Sequence, residues 1–84
     1  MELAEIRKQI DAVDDELLTL FLRRMELSRA AAEYKKLNGL PIFCPEREAE
    51  IIARAAAAAD GGMEEYAAKF FAAVLEMSKE YQRE

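Results

Sequence analysis

A single apolar stripe runs through the N-terminal third of the chain and determines what the chain can fold into. Its positions follow alternating steps of three and four residues, the spacing of one face of an α-helix, and no glycine or proline interrupts it before Gly39. A helix over about residues 2–37 is therefore predicted, roughly 54 Å long at ~1.5 Å per residue. The stripe consists of Leu3, Ile6, Ile10, Val13, Leu17, Leu20, Leu27, Ala31 and Tyr34, with Arg24 inside the series.

Turn signals divide the rest of the chain into two further helices. The segments around Gly39 and Gly61 combine glycine with asparagine, aspartate or proline, which is typical of turns. Helices are predicted over about residues 45–59 and 63–82. No segment alternates apolar and polar residues as a half-buried strand does. The prediction is an all-α fold with one domain over residues 1–84.

The long first helix predicts association with a second copy. A compact domain of 84 residues has a radius of gyration of only about 12 Å, so a helix of this length extends beyond its own fold. The simplest way to bury its stripe is against the same helix of another chain, in an antiparallel or intertwined homodimer. One face of the third helix is predicted to be core: Met63, Tyr66, Phe70, Val74, Met77 and Tyr81.

Composition excludes several classes of function. The chain has no histidine and one cysteine, which excludes a His/Cys zinc site, a disulfide framework and a histidine-activated nucleophile. Its net charge of -5 disfavours a general nucleic-acid binder. No signal peptide or membrane span is recognisable. We expect a cytoplasmic protein that needs no metal and no cofactor and does not bind membranes.

Polar residues at the edges of the apolar faces are the candidate binding residues. Arg24 stands on the stripe, where an unpaired cation is strongly disfavoured, so it should have an anion to bind. Lys35 follows 11 residues later and returns to within ~20° of the same direction. The other candidates are Arg47 and Glu48 on the second helix and Ser78 and Gln82 on the third. Together the six residues are typical of a pocket for a small polyanion that carries hydroxyl groups.

Each candidate taken alone also fits an ordinary role. Arg24 fits an interhelical salt bridge to an acid of a partner chain, and Arg47 with Glu48 fits the charge pattern of a helix's first turn. Arg7 lies 17 residues before Arg24, roughly 25 Å along the helix axis, so no small ligand touches both within one helix. In an antiparallel dimer, Arg7 of one chain can lie beside Arg24 of the other.

The pattern as a whole resembles the all-helical (AroQ-type) chorismate mutase family over nearly the whole chain. No single element is specific, but the combination is. The matching segments are Ile6–Asp14, Leu17–Leu18, Arg23–Leu27, Lys35, Pro41–Ile42, Pro45–Glu48, Ser78 and Gln82.

The resemblance implies an intertwined three-helix homodimer that converts chorismate to prephenate without a cofactor. It implies that Lys35 and Gln82 donate to the ether oxygen of the substrate and that Glu48 accepts from its ring hydroxyl. It also implies that Ser78 positions a carboxylate. The arginines would hold the carboxylates: Arg24 and Arg47 from one chain and Arg7 from its partner.

One departure and several alternatives remain open. Cys44 stands where the family commonly has Asp before Pro-Glu-Arg, and a thiol is a poor helix cap. An isochorismate pyruvate lyase is similar to this family, and a mutase of the amino analogue of chorismate is a further variant. A non-enzymatic helical dimerisation module, with Arg24 in a salt bridge, is the alternative from another class.

Overall fold

The computed structural model describes residues 1–84 and contains three α-helices and no strand. The predicted all-α class with three helices is confirmed. α1 spans Leu3–Leu37, α2 spans Pro45–Ala58 and α3 spans Glu64–Arg83. α1 begins and α2 ends one residue inside the predicted bounds, and α3 lies one residue further along the chain.

The end of α1 is closed by a turn that requires glycine. Asn38 is the C-cap residue, and Gly39 after it has a φ of 65°, a left-handed conformation that glycine adopts at little cost. The Leu40 amide donates to the Lys35 carbonyl at 2.8 Å and the Gly39 amide to that of Lys36 at 3.5 Å. This is the Schellman arrangement, which satisfies carbonyls that the helix leaves free. It directs the following segment back alongside the last turn of α1.

The start of α2 combines a poor cap with a favourable first turn. Cys44 is the N-cap residue and makes no side-chain hydrogen bond to the free amides. Pro45 occupies the first turn, where its fixed φ suits the helix and its missing N–H costs nothing. Glu46 and Glu48 lie in the same turn, where the helix dipole stabilises negative charge.

α3 lies between the other two helices. It packs against both α1 and α2, whereas α1 and α2 have no close backbone contact with each other. Three apolar residues are buried, Ile51 of α2 and Val74 and Leu75 of α3. Two serines, Ser28 and Ser78, are buried with them. The core is therefore small and lies where α3 meets α2, with Ser28 of α1 at its edge.

The molecule is elongated because α1 extends past the core. The radius of gyration is 15.8 Å and the longest dimension is 54 Å, against a radius of about 12 Å for a compact domain of this size. Every one of residues 1–20 is exposed. Leu17 is 46% and Leu20 is 62% exposed. None of the three helices combines the length and the apolarity that a bilayer-spanning helix requires.

The prediction that one face of α3 forms the core is wrong for the single chain. Of that face, only Val74 is buried, while four large residues are exposed. The neighbouring row of α3 faces the interior instead, with Leu75 and Ser78 buried. The two rows lie side by side on the helix surface, and hydrophobic periodicity alone does not indicate which of them packs against α1 and α2. The exposed four are Met63, Tyr66, Phe70 and Met77.

Candidate active site

A cavity of about 340 Å³ lies where the second half of α1, the start of α2 and the end of α3 face one another. We call it the site cavity. Its lining includes six of the seven residues that the sequence singled out. They come from all three helices, and the Gly39 turn and the segment after it set the distance between α1 and α2. The six are Arg24, Lys35, Arg47, Glu48, Ser78 and Gln82.

Arg7 is the seventh residue, and the single chain does not bring it to the others. It is exposed on the protruding half of α1 and is absent from the lining of the site cavity. Its contribution from a partner chain therefore stays a prediction.

A directed chain of hydrogen bonds crosses the floor of the cavity. Lys35 Nζ donates to Gln82 Oε1 at 3.2 Å, and Gln82 Nε2 donates to Ser78 Oγ at 3.1 Å. Ser78 Oγ lies 2.7 Å from Ser28 Oγ, and Ser28 Oγ donates to the Arg24 carbonyl at 3.1 Å. Because the only hydrogen of Ser28 is used on that carbonyl, Ser78 must donate to Ser28. The chain thus fixes which end of the Gln82 amide faces Ser78.

Two donors of this chain keep hydrogens available for a ligand. Lys35 Nζ also donates to the Ile42 carbonyl at 2.9 Å, so two of its three N–H groups are used and one remains. Gln82 Nε2 uses one of its two N–H groups on Ser78. The remaining N–H groups belong to side chains that are both part of the cavity lining.

Glu48 is the only carboxylate in the lining, and a lysine holds it. Lys79 Nζ lies 3.3 Å from each Glu48 oxygen, and it also reaches Glu76 at 2.8 Å. The Lys79 side chain is 13% and that of Glu48 20% exposed, whereas Glu76 is 69% exposed. The hydrogen bond to Glu76, with the charge of Glu48, raises the pKa of Lys79 above its ordinary 10.5 although burial opposes this. At neutral pH Lys79 is therefore a cation beside Glu48.

The two arginines of the cavity are in different situations. Arg24 is half-buried and has no carboxylate within 4 Å in the chain. The salt bridge considered as its ordinary role is to an acid of the partner chain and stays a prediction. Arg47 pairs with Glu50 one turn along α2, with half of its side chain exposed. An exposed pair of this kind is worth little, so an incoming anion competes easily for Arg47.

Sequence reasoning missed two residues of the site. Ser28 follows Arg24 by four residues and Lys79 follows Leu75 by four, so both share the inward face of their helices. The spacing contained the signal, but a serine and a lysine on a helix are usually surface residues. Cys44, which the sequence marked as unusual, also lines the cavity.

The charge of the lining indicates the kind of ligand. Four cations, Arg24, Lys35, Arg47 and Lys79, face one carboxylate, so the cavity attracts an anion with more than one negative group. Apolar residues complete the lining, among them Leu27, Ile51 and Leu75. No group of three or more potential metal ligands comes together in the chain. Fold and cavity together define an all-helical protein with a candidate binding site for a small polyanion.

Comparison with known proteins identifies the family. A family model described as chorismate mutase type II matches residues 6–83, which is nearly the whole chain. This chain belongs to the chorismate mutase type II family. The resemblance predicted from the sequence is confirmed.

Relatives agree with this assignment. A chorismate mutase of Methanocaldococcus jannaschii is 47% identical over 53 residues, which are 63% of this chain and 54% of that protein. A T-protein of Enterobacter agglomerans is 50% identical over 62% of this chain but only 14% of its own length. A 4-amino-4-deoxychorismate mutase of Streptomyces venezuelae is 40% identical over 76% of this chain and 63% of its own. The chain thus matches only part of each of these relatives. No solved structure matches it closely enough to count as a relative.

Proposed function

We propose that this chain converts chorismate to prephenate. The observation that carries the proposal is the site cavity, where four cations, one carboxylate and one amide from three helices meet. Chorismate offers the complementary groups: two carboxylates, an ether oxygen and a ring hydroxyl. Membership of the family supports the same reaction.

The reaction needs no group that the chain lacks. In this Claisen rearrangement the ether C–O bond breaks while a C–C bond forms within the same molecule, so no proton, electron or leaving group is exchanged with the protein. Catalysis then depends on holding the reacting ends close together. Arg24 and Arg47 hold the carboxylates, since guanidinium groups bind carboxylates with two parallel hydrogen bonds.

The free N–H groups of Lys35 and Gln82 donate hydrogen bonds to the ether oxygen of the bond that breaks. Negative charge grows on the ether oxygen in the transition state, and donors already fixed in position stabilise such charge most effectively. Lys35 and Gln82 hold each other through the 3.2 Å hydrogen bond, so both are oriented before the substrate arrives. Glu48 accepts from the ring hydroxyl. Ser78 uses its only hydrogen on Ser28 and accepts from Gln82, so it orients the Gln82 amide instead of donating to a carboxylate as the resemblance implies.

The active unit is a homodimer in which Arg7 of one chain completes the site of the other. The support is the uncovered stripe on residues 3–20, which a chain with three buried apolar residues does not cover by itself. Contiguous apolar surface of this kind marks an interface. In an antiparallel arrangement, Arg7 contributes a further guanidinium to the cavity. A cytoplasmic location stays a prediction.

Product analysis tests the activity directly. Purified protein is mixed with chorismate, the loss of its ultraviolet absorbance is followed, and the product is identified. We expect prephenate from the unmodified protein and a loss of at least about a hundredfold in kcat/KM for Arg24→Ala and for Lys35→Ala. Neighbouring cations outside the lining provide matched controls: Arg23→Ala and Lys36→Ala should retain activity. No turnover by folded protein would contradict the proposal.

A second candidate substrate is 4-amino-4-deoxychorismate. The Streptomyces venezuelae relative, which carries this substrate in its name, covers more of this chain than the other two relatives described. The two substrates share both carboxylates and the ether and differ at one ring position, so the same cavity residues serve both. The assay is therefore run on each compound. Pyruvate and salicylate from isochorismate would instead indicate the lyase.

A further inference from the structure

We infer that Lys79 determines the preference of the site for chorismate over 4-amino-4-deoxychorismate, because it favours the neutral ring hydroxyl over the amine. The inference rests on the proposed function and concerns a residue to which the resemblance assigns no role. It starts from the pair that Lys79 forms with Glu48 inside the cavity.

Glu48 is the group that meets the variable ring position. It is the only anion in the lining, so it is the only strong acceptor there for a donor on the substrate. The arginines and Lys35 face the carboxylates and the ether, which both substrates possess. The two substrates therefore differ in their interaction with Glu48, which accepts from the hydroxyl of one and from the amine of the other.

Lys79 neutralises Glu48 before any ligand binds. Its Nζ lies 3.3 Å from both carboxylate oxygens, and little solvent reaches either side chain, at 13% and 20% exposure. The second acid beside Lys79, Glu76, is 69% exposed, so water screens its charge from the cavity. Within the cavity, Glu48 and Lys79 thus form a neutral pair.

A hydroxyl and an ammonium respond differently to this pair. A hydroxyl donates one hydrogen bond to Glu48 and carries no charge, so Lys79 does not disfavour it. An ammonium group at the same position adds a second cation beside one carboxylate, and like charges at this separation repel more strongly where little water enters. Lys79 acts against the amine and leaves the hydroxyl unaffected.

Lys79 cannot easily move away from this position. Its ammonium lies 4.6 Å from the centre of the Phe43 ring, a cation–π contact, and three groups therefore hold it: Glu48, Glu76 and Phe43. Deprotonation does not relieve the repulsion either, because the pKa of Lys79 is raised by its carboxylate partners. Its positive charge is a fixed feature of the cavity.

The test compares kcat/KM for the amine with kcat/KM for chorismate in Lys79→Met. Methionine keeps an apolar stem of similar length against Phe43 and removes the charge. We expect the ratio of amine to chorismate to rise by about tenfold, while Lys79→Arg keeps the wild-type ratio. The ratio is taken within one preparation, so a partly unfolded variant does not distort it. If turnover of the amine is too slow to follow, its inhibition constant against chorismate turnover gives the same comparison.

Lys69→Met is the matched control. Lys69 lies on the same helix, pairs with Glu65 and sits 5.9 Å from the Tyr66 ring, yet it is not part of the cavity. An unchanged ratio in Lys79→Met, or an equal rise in Lys69→Met, would overturn the role of Lys79 while chorismate turnover still upheld the proposed function. Absence of turnover of both compounds by folded wild-type protein would overturn both.

Discussion

The two halves of α1 carry the same stripe but have different surroundings. All of residues 3–20 are exposed, whereas Arg24, Ser28 and Lys35 in the second half are partly or fully shielded by α3 and the Ile42 segment. The spacing of apolar residues does not change between the halves. In the second half, too, the stripe residues Leu27 and Tyr34 stay 62% and 63% exposed, while Ser28 beside the stripe meets α3. Periodicity therefore identifies an apolar face of a helix but not which part of it another element covers. The chain itself leaves the first half uncovered, and a second copy is the partner that we propose for it.

The largest expected effect follows from placing a charge on the uncovered half. In Leu17→Glu, a carboxylate enters the proposed interface without a partner, and burying it is strongly unfavourable. We expect the dimer dissociation constant to rise at least about a hundredfold and chorismate turnover to disappear. Light scattering after size-exclusion chromatography measures the mass of the particle.

Thr19→Glu is the control for this change. It introduces the same charge two residues along, on the side of α1 that faces away from the stripe, and should leave the particle mass unchanged. A wild-type protein that is monomeric and fully active would show that the first half of α1 needs no partner.

The next largest effect is expected from removing one arginine from either half of α1. Arg7→Ala and Arg24→Ala should each lower kcat/KM by about a hundredfold or more, because each removes a guanidinium from a substrate carboxylate. Mixing the two inactive variants should restore about a quarter of wild-type activity, since half of randomly paired dimers contain one intact site. Activity after subunit exchange is the measurement. Arg7→Ala with full activity would exclude a shared site.

A smaller effect compares two hydroxyls in the same local geometry. Ser28 Oγ and Thr19 Oγ1 each donate to the carbonyl four residues earlier, both at 3.1 Å, but only Ser28 also contacts Ser78. Ser28→Ala should lower kcat about fivefold with little change in KM, because a lost hydrogen bond of ~1 kcal/mol loosens Gln82. Thr19→Ala should change neither constant.

A double variant separates this role from a simple packing defect. If Ser28 acts through the Gln82 amide, then Ser28→Ala should have no further effect on kcat in a Gln82→Ala background. Full additivity of the two changes would show that Ser28 stabilises the fold without orienting Gln82.

The smallest expected effect is that of pH on kcat near neutrality, where the site residues of α1 and α3 should change little. Gln82 is an amide and does not titrate, so kcat should vary little between about pH 6 and 8. A glutamate there would need its proton to donate. A steep fall of kcat with rising pH across this interval would contradict the role of Gln82.

The stabilising contributions of Lys79 and Glu76 should be lost at the extremes of pH. Its carboxylate partners raise the pKa of Lys79 above 10.5, so its stabilising contribution is present below pH 10.5 and is lost as pH rises through the folded-state value. The pKa of Glu76 is lowered from 4.5, mainly by its hydrogen bond to Lys79. That contribution is present above pH 4.5 and is lost as pH falls. Thermal melts across pH measure both.

Most of the fold and of the site followed from short-range patterns in the sequence. Three helices were predictable because glycine and proline stand only at their borders, and six cavity residues were predictable from their spacing along single helices. The hydrogen bond between Ser28 and Ser78 and the pair of Lys79 with Glu48 join different helices. Such contacts depend on how two helices are rotated against each other, which spacing within one helix does not determine. The same rotation decided which row of α3 is buried.

The unbroken course of α1 has a consequence for how this chain can change over generations. One inserted or deleted residue between Leu17 and Arg24 would rotate every preceding side chain by about 100° and shift it by ~1.5 Å relative to the cavity. The stripe of the first half and the cavity residues of the second would then no longer share a face. The turn at residues 59–63 carries no such constraint on facing, whereas the segment at residues 38–44 contacts Lys35 through Ile42 and Lys79 through Phe43. We therefore expect homologous chains to vary in length at residues 59–63 and to keep the number of residues in α1 constant.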